Sequence, residues 1–416
     1  MRCYRLLVML ILLQPTLSLA DPPSSERAWV LKTPSGEILS EQNPEQAMIP
    51  ASILKVLTSL YALETLGAEY RIPTLLSTGN DGSLVVQAEA DPLMTSGPLK
   101  NLAQQLASHT QKRHFTQLVI DVSAFEHKLP VDGRCHTSQR TYNAPLSPFA
   151  VNFNTVAFQI KGGEILSAER ETPLLPMVLE PIRASRMASG RIALPSENDF
   201  PLQYAASMLR FFLEEEGFSF ENTENSFRDS APRIPDTPIL EVLSPFTIED
   251  IVHQLMAYSN NVMANQLMLT TALRDQYDAG NTTSGPMGLD EARKRFASFI
   301  GRQLGIDDFT VEEGSGLSRK NLISAREMMK ALHAFSPYMS LMRQEPSGWY
   351  KTGTLSDVRT RAGYLRGPGG WYPYVLMTHR ENDAYSLYLK TLQQTAGSGS
   401  RLSHSANSAA KNPATN

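Results

Sequence analysis

Pro50-Ala51-Ser52-Ile53-Leu54-Lys55 opens an apolar run that continues to Leu66, and its reading decides the fold. Ile53, Leu54, Val56, Leu57, Leu60, Leu63 and Leu66 cover more than one face of a 3.6-residue period. Residues 52 to 66 are therefore predicted to form a helix buried in a core. Ser52 stands at its N-terminus with Lys55 one turn along on the same face, so a hydroxyl and an amine come within reach of each other. A lysine desolvated in a core can lose its proton near neutral pH and activate a serine nucleophile. The pair alone is weak evidence, because S-x-x-K arises about once or twice by chance in a chain this long. Ser408-Ala409-Ala410-Lys411 is such a match in the tail.

Two further stretches give the pair a context. Thr247 and Asp250 form a capping-box pattern that starts a helix, which ends at Ser259-Asn260-Asn261. Lys351-Thr352-Gly353 lies in Trp349-Tyr350-Lys351-Thr352-Gly353-Thr354-Leu355, whose aromatic and Thr content predicts a strand. Gly353 lets a ligand approach the backbone closely. S-x-N is as cheap as S-x-x-K, since Ser196-Glu197-Asn198 and Ser405-Ala406-Asn407 also fit. K-T-G is scarcer, arising in about one such chain in ten.

The chain has 416 residues, with 38 Lys and Arg against 42 Asp and Glu, a net charge of −4. Arg2 and Arg5, an apolar stretch from Leu6 to Leu13 and the small-residue end Ser18-Leu19-Ala20 describe a secretory signal peptide, cleaved before Asp21. Loss of those two arginines leaves a net charge of −6. The balance argues against nucleic acid, and no segment reaches the roughly twenty apolar residues of a membrane span. Export to the periplasm as a soluble protein is expected. Cys3 leaves with the signal and Cys135 has no partner, so no intrachain disulfide forms. No metal-ligand spacing stands out among the eight His residues, and no cofactor is expected.

Residues 28 to 33 and 37 to 40 flank Pro34-Ser35-Gly36 and read as an edge hairpin. Some two hundred residues separate Ser52 from Ser259, far more than a connecting loop uses, and an inserted unit is the economical explanation. The organisation expected is a signal peptide at 1–20, a discontinuous catalytic domain at 21–82 and 239–394, an insertion at 83–238 and a disordered tail at 395–416. The insertion is expected to be rich in short strands and Pro-containing turns. The polar Gly/Ser stretch Gly314-Ser315-Gly316-Leu317-Ser318-Arg319-Lys320-Asn321-Leu322-Ile323 leads into a helix around 326–333 and receives no catalytic role. Arg361 is read as a solvated strand residue, with attraction of an anionic substrate as the alternative.

The ordered motifs S-x-x-K, S-D-N and K-T-G are an established signature of penicillin-binding proteins and β-lactamases, so the triple matches a known pattern. Asn260 stands where that signature has Asp. The chain resembles the low-molecular-mass class C penicillin-binding proteins, which are D-alanyl-D-alanine carboxypeptidases that often also act as endopeptidases. The resemblance extends to about Gln394 and includes Tyr142-Asn143-Ala144-Pro145-Leu146-Ser147, Asn152-Phe153-Asn154 and Gly314-Ser315-Gly316-Leu317-Ser318-Arg319. It implies an α/β (α+β) fold, a transpeptidase-like domain of antiparallel sheet flanked by helices with inserted accessory domains. Departures are Thr137, where members commonly carry an acid that holds the amine of a diaminopimelate side chain, and Ala88-Glu89-Ala90-Asp91-Pro92 in place of a Gly-rich Asp-Pro turn.

The resemblance implies peptidoglycan stem peptides as substrate and β-lactam antibiotics as covalent ligands. Ser52 would be the nucleophile, Lys55 the base and Ser259 a proton relay to the leaving amine. Asn261 would bind the substrate amide, Lys351 would supply positive potential, and Thr352 and Thr354, on either side of Gly353, would grip the terminal carboxylate. Backbone N–H groups of Ser52 and Thr354 would form the oxyanion hole. Tyr142 and Asn154 are expected on a substrate-facing wall. A β-lactamase is the alternative enzyme, although no E-x-x-L-N-like segment is placed to activate the deacylating water. A non-catalytic wall-binding or scaffold protein is the alternative outside catalysis.

Overall fold

The computed structural model describes residues 27–230, 236–280, 285–380 and 382–400. The expected signal peptide and all but the start of the expected tail lie outside the described residues.

A six-stranded antiparallel sheet forms one centre of the molecule. Its strands run in the order Arg343–Glu345, Gly348–Leu355, Val358–Gly367, Gly370–His379, Arg27–Lys32 and Ile38–Gln42. Alternation along these strands supplies two apolar faces. Trp29, Leu31, Tyr374 and Leu376 meet helix Asn382–Ser398 through Tyr388, Leu392 and Ala396. Ala28, Val30, Val375 and Met377 turn the other way, into the largest core, with helices Lys55–Leu66, Ile248–Tyr258, Asn261–Asp278 and Ala325–Phe335. Leu57 and Leu60 of the helix after Ser52 have no exposed surface. Each such burial contributes about 1.5–3 kcal/mol. The mixed α+β class, with antiparallel sheet flanked by helices, follows from these layers.

A second, five-stranded sheet has the order Ser226–Arg228, Leu118–Asp121, Leu84–Gln87, Pro73–Thr78 and Thr237–Leu243. Its own core draws on residues between Leu76 and Val242. This region also contains helices Ser96–His109 and Phe200–Glu215, which its turn-like sequence does not advertise. Gly97, Pro98 and Pro201 read as breakers, but each sits in a first helical turn, where a missing N–H costs no intrahelical bond. Residues 125 to 150 turn back to the first core, to which Phe125, Leu129, Val131 and Leu146 belong. The expected tail begins inside helix Asn382–Ser398, where Thr395 and Ala396 are buried.

Candidate active site

Ser52 lies in a 3₁₀ turn, Ala51–Leu54, and the α-helix starts at Lys55. In a 3₁₀ turn side chains at i and i+3 eclipse, so the tighter winding aligns Ser52 with Lys55 more directly than an α-helix would. Lys55 Nζ is 2.9 Å from Ser52 Oγ, 2.9 Å from Asn261 Oδ1 and 2.7 Å from the Ser315 carbonyl. The lysine is wholly buried, whereas Ser52 keeps partial exposure. Burial pulls the Lys55 pKa down to about 7, against the opposing pull of Glu313.

Ser259 closes helix Ile248–Tyr258 in the left-handed conformation, φ 58°. Ala51, the residue before Ser52, is also left-handed at φ 48°. Such conformations cost non-glycine residues about 1–3 kcal/mol each, and here one directly precedes Ser52 and the other is Ser259 itself. Asn260 caps the next helix, its side chain accepting from Met263 N at 3.1 Å. Asn and Asp perform this duty equally well, so the departure from S-D-N leaves the local structure intact. Asn261 follows, accepting from Lys55 and donating Nδ2 to the Tyr142 carbonyl at 3.0 Å.

Lys351 comes from strand Gly348–Leu355 and donates to Ser259 Oγ at 2.7 Å and to the Thr352 carbonyl at 2.8 Å. Burial and the positive charges of Lys55 and Arg343 hold its pKa well below the ordinary lysine value. The neighbouring strand Arg343–Glu345 pairs no further than Tyr350. From Lys351 onward that edge of the sheet has no strand partner among the described residues. Thr354 is exposed beyond it, its hydroxyl accepting from Arg359 at 3.2 Å. Hydrogen bonds thus join Ser52, Lys55 and Asn261 in one set and Ser259 and Lys351 in a second, the charge of Lys55 acts on Lys351 between them, and Thr352, Gly353 and Thr354 continue the Lys351 strand.

Gly353 has a different neighbour from the ligand anticipated for it. A Cβ there would lie 2.7 Å from Ser52 N and 2.9 Å from Pro50 O, so the glycine lets the sheet close against the nucleophile's turn. Gly316 does the same from the other side, since a Cβ would fall 1.9 Å from the Ala51 carbonyl.

Three other expectations change. Arg361 is not solvated: its Nε donates to Tyr374 Oη at 2.6 Å, it pairs with Glu345, and its guanidinium lies 3.7 Å from the Tyr350 ring centroid. Asn154 is wholly buried and donates to Pro145 O at 2.8 Å and Ser147 Oγ at 3.0 Å, which makes it an internal brace and no wall residue. Tyr142, by contrast, is 52% exposed beside Asn261. The 314–321 loop, left without a role, supplies the carbonyl that meets Lys55. Its anchor Glu313 was missed. The available signal was an acid directly before a Gly/Ser run whose many N–H groups need acceptors.

Among the described residues no group of three or more His, Cys, Asp or Glu is placed to hold a metal, and no helix is long and apolar enough to cross a membrane.

The sequence matches the D-Ala-D-Ala carboxypeptidase 3 (S13) family over residues 16–191 and 188–340. The chain belongs to this family. The S13 match stops before Lys351, so the third motif joins the site through the fold. Penicillin binding protein 4 (dacB) from Haemophilus influenzae has a similar structure, with a TM-score of 0.70 and 19% identity over 89% of this chain and 97% of that one. Its complex with a β-lactam gives a TM-score of 0.64 and 20% identity over 85% and 90%. In sequence, D-alanyl-D-alanine carboxypeptidase DacB of Haemophilus influenzae is 22% identical over 352 residues, 75% of this chain and 71% of that protein. The D-alanyl-D-alanine carboxypeptidase of Actinomadura sp. is 22% identical over 417 residues, covering 82% and 75%.

Proposed function

We propose that this S13 protein is a serine-type carboxypeptidase that removes the terminal D-Ala from peptidoglycan stem peptides, cleaves peptide cross-links as an endopeptidase, and is acylated by β-lactams. The observation that carries the reading is Ser52 Oγ at 2.9 Å from a buried lysine whose pKa lies near 7.

Neutral Lys55 takes the Ser52 proton as Oγ attacks the carbonyl carbon of the penultimate D-Ala. Negative charge then develops on the carbonyl oxygen, for which the N–H groups of Ser52 and Thr354 are the candidate donors. Such preorganised donors are worth about a hundred- to a thousandfold in rate. The C–N bond breaks as the leaving amine takes a proton through Ser259, whose hydroxyl bonds to Lys351. Free D-Ala departs and water later hydrolyses the Ser52 ester, with Lys55 again the nearest base. The unpaired edge from Lys351 to Leu355 suits an extended peptide, which can add to it as a strand. Lys351, Thr352 and Thr354 then lie beside its terminal carboxylate, and Asn261 beside its amide.

The reading also includes export through residues 1–20 and a two-unit organisation. Strand pairing favours 73 and 243 over 83 and 238 as the ends of the inserted unit, because Pro73–Thr78 and Thr237–Leu243 pair with each other in the second sheet.

A fluorescent penicillin should label the protein at Ser52, and Ser52→Ala should abolish the label without changing the fold. Mass spectrometry of muropeptides after incubation separates loss of D-Ala from cleavage of cross-links. An adduct mapped to another serine, or no change in the muropeptides, would overturn the proposal.

A further inference from the structure

We infer that Glu313 is a positioning residue for the general base, holding the 314–321 loop in the one shape that presents the Ser315 carbonyl to Lys55 Nζ. The inference deepens the proposed acyl-serine chemistry and rests on it.

Glu313 has no exposed surface, and a buried carboxylate is costly unless its lone pairs are filled. Here they are. Oε2 accepts from Asn265 Nδ2 at 3.0 Å, Ser315 N at 2.8 Å and Ser315 Oγ at 2.5 Å. Oε1 accepts from Leu317 N at 2.7 Å, Ser318 N at 3.2 Å and Asn321 Nδ2 at 3.0 Å. Three of these donors are backbone N–H groups of the loop itself, so the carboxylate sets the path of the chain and not only the packing around it.

The geometry leads back to the base along two routes. Asn265, which donates to Glu313, accepts from Gly314 N at 2.8 Å, and Thr58, one turn beyond Lys55, donates to the Gly314 carbonyl at 2.6 Å. The next carbonyl, that of Ser315, is the one Lys55 meets at 2.7 Å. Gly316, also inside the loop, packs on Ala51 and so on the turn that carries Ser52. Nucleophile, base and loop therefore share one anchor.

Glu313 also acts through space. Glu313 on the loop favours the protonated amine of Lys55, and the Lys55 charge in turn, with that of Arg343, lowers the pKa of Lys351 across the site. Removing the Glu313 charge should therefore shift the Lys55 titration to lower pH. Loosening the loop so that water enters should shift it the other way, toward the ordinary lysine value. The two roles are separable by a pH profile.

The test is the rate of Ser52 acylation by a fluorescent penicillin as a function of pH, for the full chain and two variants whose fold is checked by circular dichroism. Glu313→Gln keeps the size and removes the charge. The acid limb should move down by about one unit, and the plateau should fall by about a hundredfold because the loop carbonyl is displaced. Glu313→Asp keeps the charge but withdraws it by one methylene. It should leave the limb in place and still lower the plateau by about tenfold. A Glu313→Gln limb that stays put overturns the inference, as does a Glu313→Asp plateau equal to wild type, whereas a limb that moves up with a lowered plateau marks a loosened loop and supports it. If Glu313→Gln does not fold, the Glu313→Asp plateau decides. Failure of the wild type to take penicillin at Ser52 would instead overturn the proposed function, so the two failures are distinct.

Discussion

Lys55 and Lys351 are both buried lysines a hydrogen bond away from a serine, yet their surroundings differ in sign. Lys55 has three oxygen acceptors and the Glu313 carboxylate opposing the larger effect of burial, and its pKa is lowered to about 7. Lys351 has two oxygen acceptors, and the charges that act on it, Lys55 and Arg343, are both positive. A base must exchange a proton near the working pH, and a compensated lysine does so. A cation without a counter-ion is held at a cost that an anionic substrate relieves, which is how binding energy becomes specificity for a terminal carboxylate. On the proposed reading, the difference makes Lys55 complete in the free protein and leaves Lys351 to be completed by the ligand.

The sharpest way to break this contrast is to remove each lysine in turn. Lys55→Met should lower Ser52 acylation by about a thousandfold for any acyl donor, since the lost function is proton transfer. Lys351→Met should lower it by about a hundredfold for a donor ending in a carboxylate and much less for the same donor as a C-terminal amide. Stopped-flow acylation with a matched acid and amide pair checks both, and equal losses for the pair would make Lys351 a general structural cation.

A second contrast, between Tyr142 and Asn154, follows from their exposure. Tyr142→Ala should slow turnover of a full stem peptide by about tenfold, through loss of remote binding energy, and leave acylation by a small penicillin nearly unchanged. Asn154→Ala should instead destabilise the fold by about 1–3 kcal/mol, because it removes the side-chain donor to Pro145 O and to Ser147 Oγ in the interior. Urea titration and parallel assays with both substrates separate the two outcomes. If Asn154→Ala folded as well as wild type and affected only the stem peptide, the brace reading would fall.

The smallest expected effect concerns stability and pH. In the unfolded chain Lys55 keeps its proton up to 10.5, but in the fold it releases it near 7. Between those values the unfolded state binds more protons, so stability rises as pH rises. Lys351 is shifted in the same direction. The thermal midpoint should climb by a few degrees from pH 7 to pH 9, and the climb should shrink in Lys55→Met. An unchanged slope would mean that Lys55 is as easily protonated in the fold as outside it.

The sequence by itself determined the three motifs, the helix behind Ser52, the capping box at Thr247 and Asp250, and the strands around Lys351, because each is written in local periodicity or in short-range hydrogen bonding. It also determined the family, through motif order. Helices Ser96–His109 and Phe200–Glu215 were less legible, since Gly and Pro in a first turn look the same as Gly and Pro in a loop. Only the tertiary structure decided that Asn154 faces inward and Tyr142 outward, that Arg361 pairs with Glu345, and that Gly353 admits the Ser52 turn. Only it brought six donors to Glu313, from Asn265 and four residues of the loop after it. The physical reason is the same throughout. Burial and the sign of the nearest charge set what a polar side chain does, and both are fixed by contacts between segments far apart in the chain, such as Lys55 with Ser315.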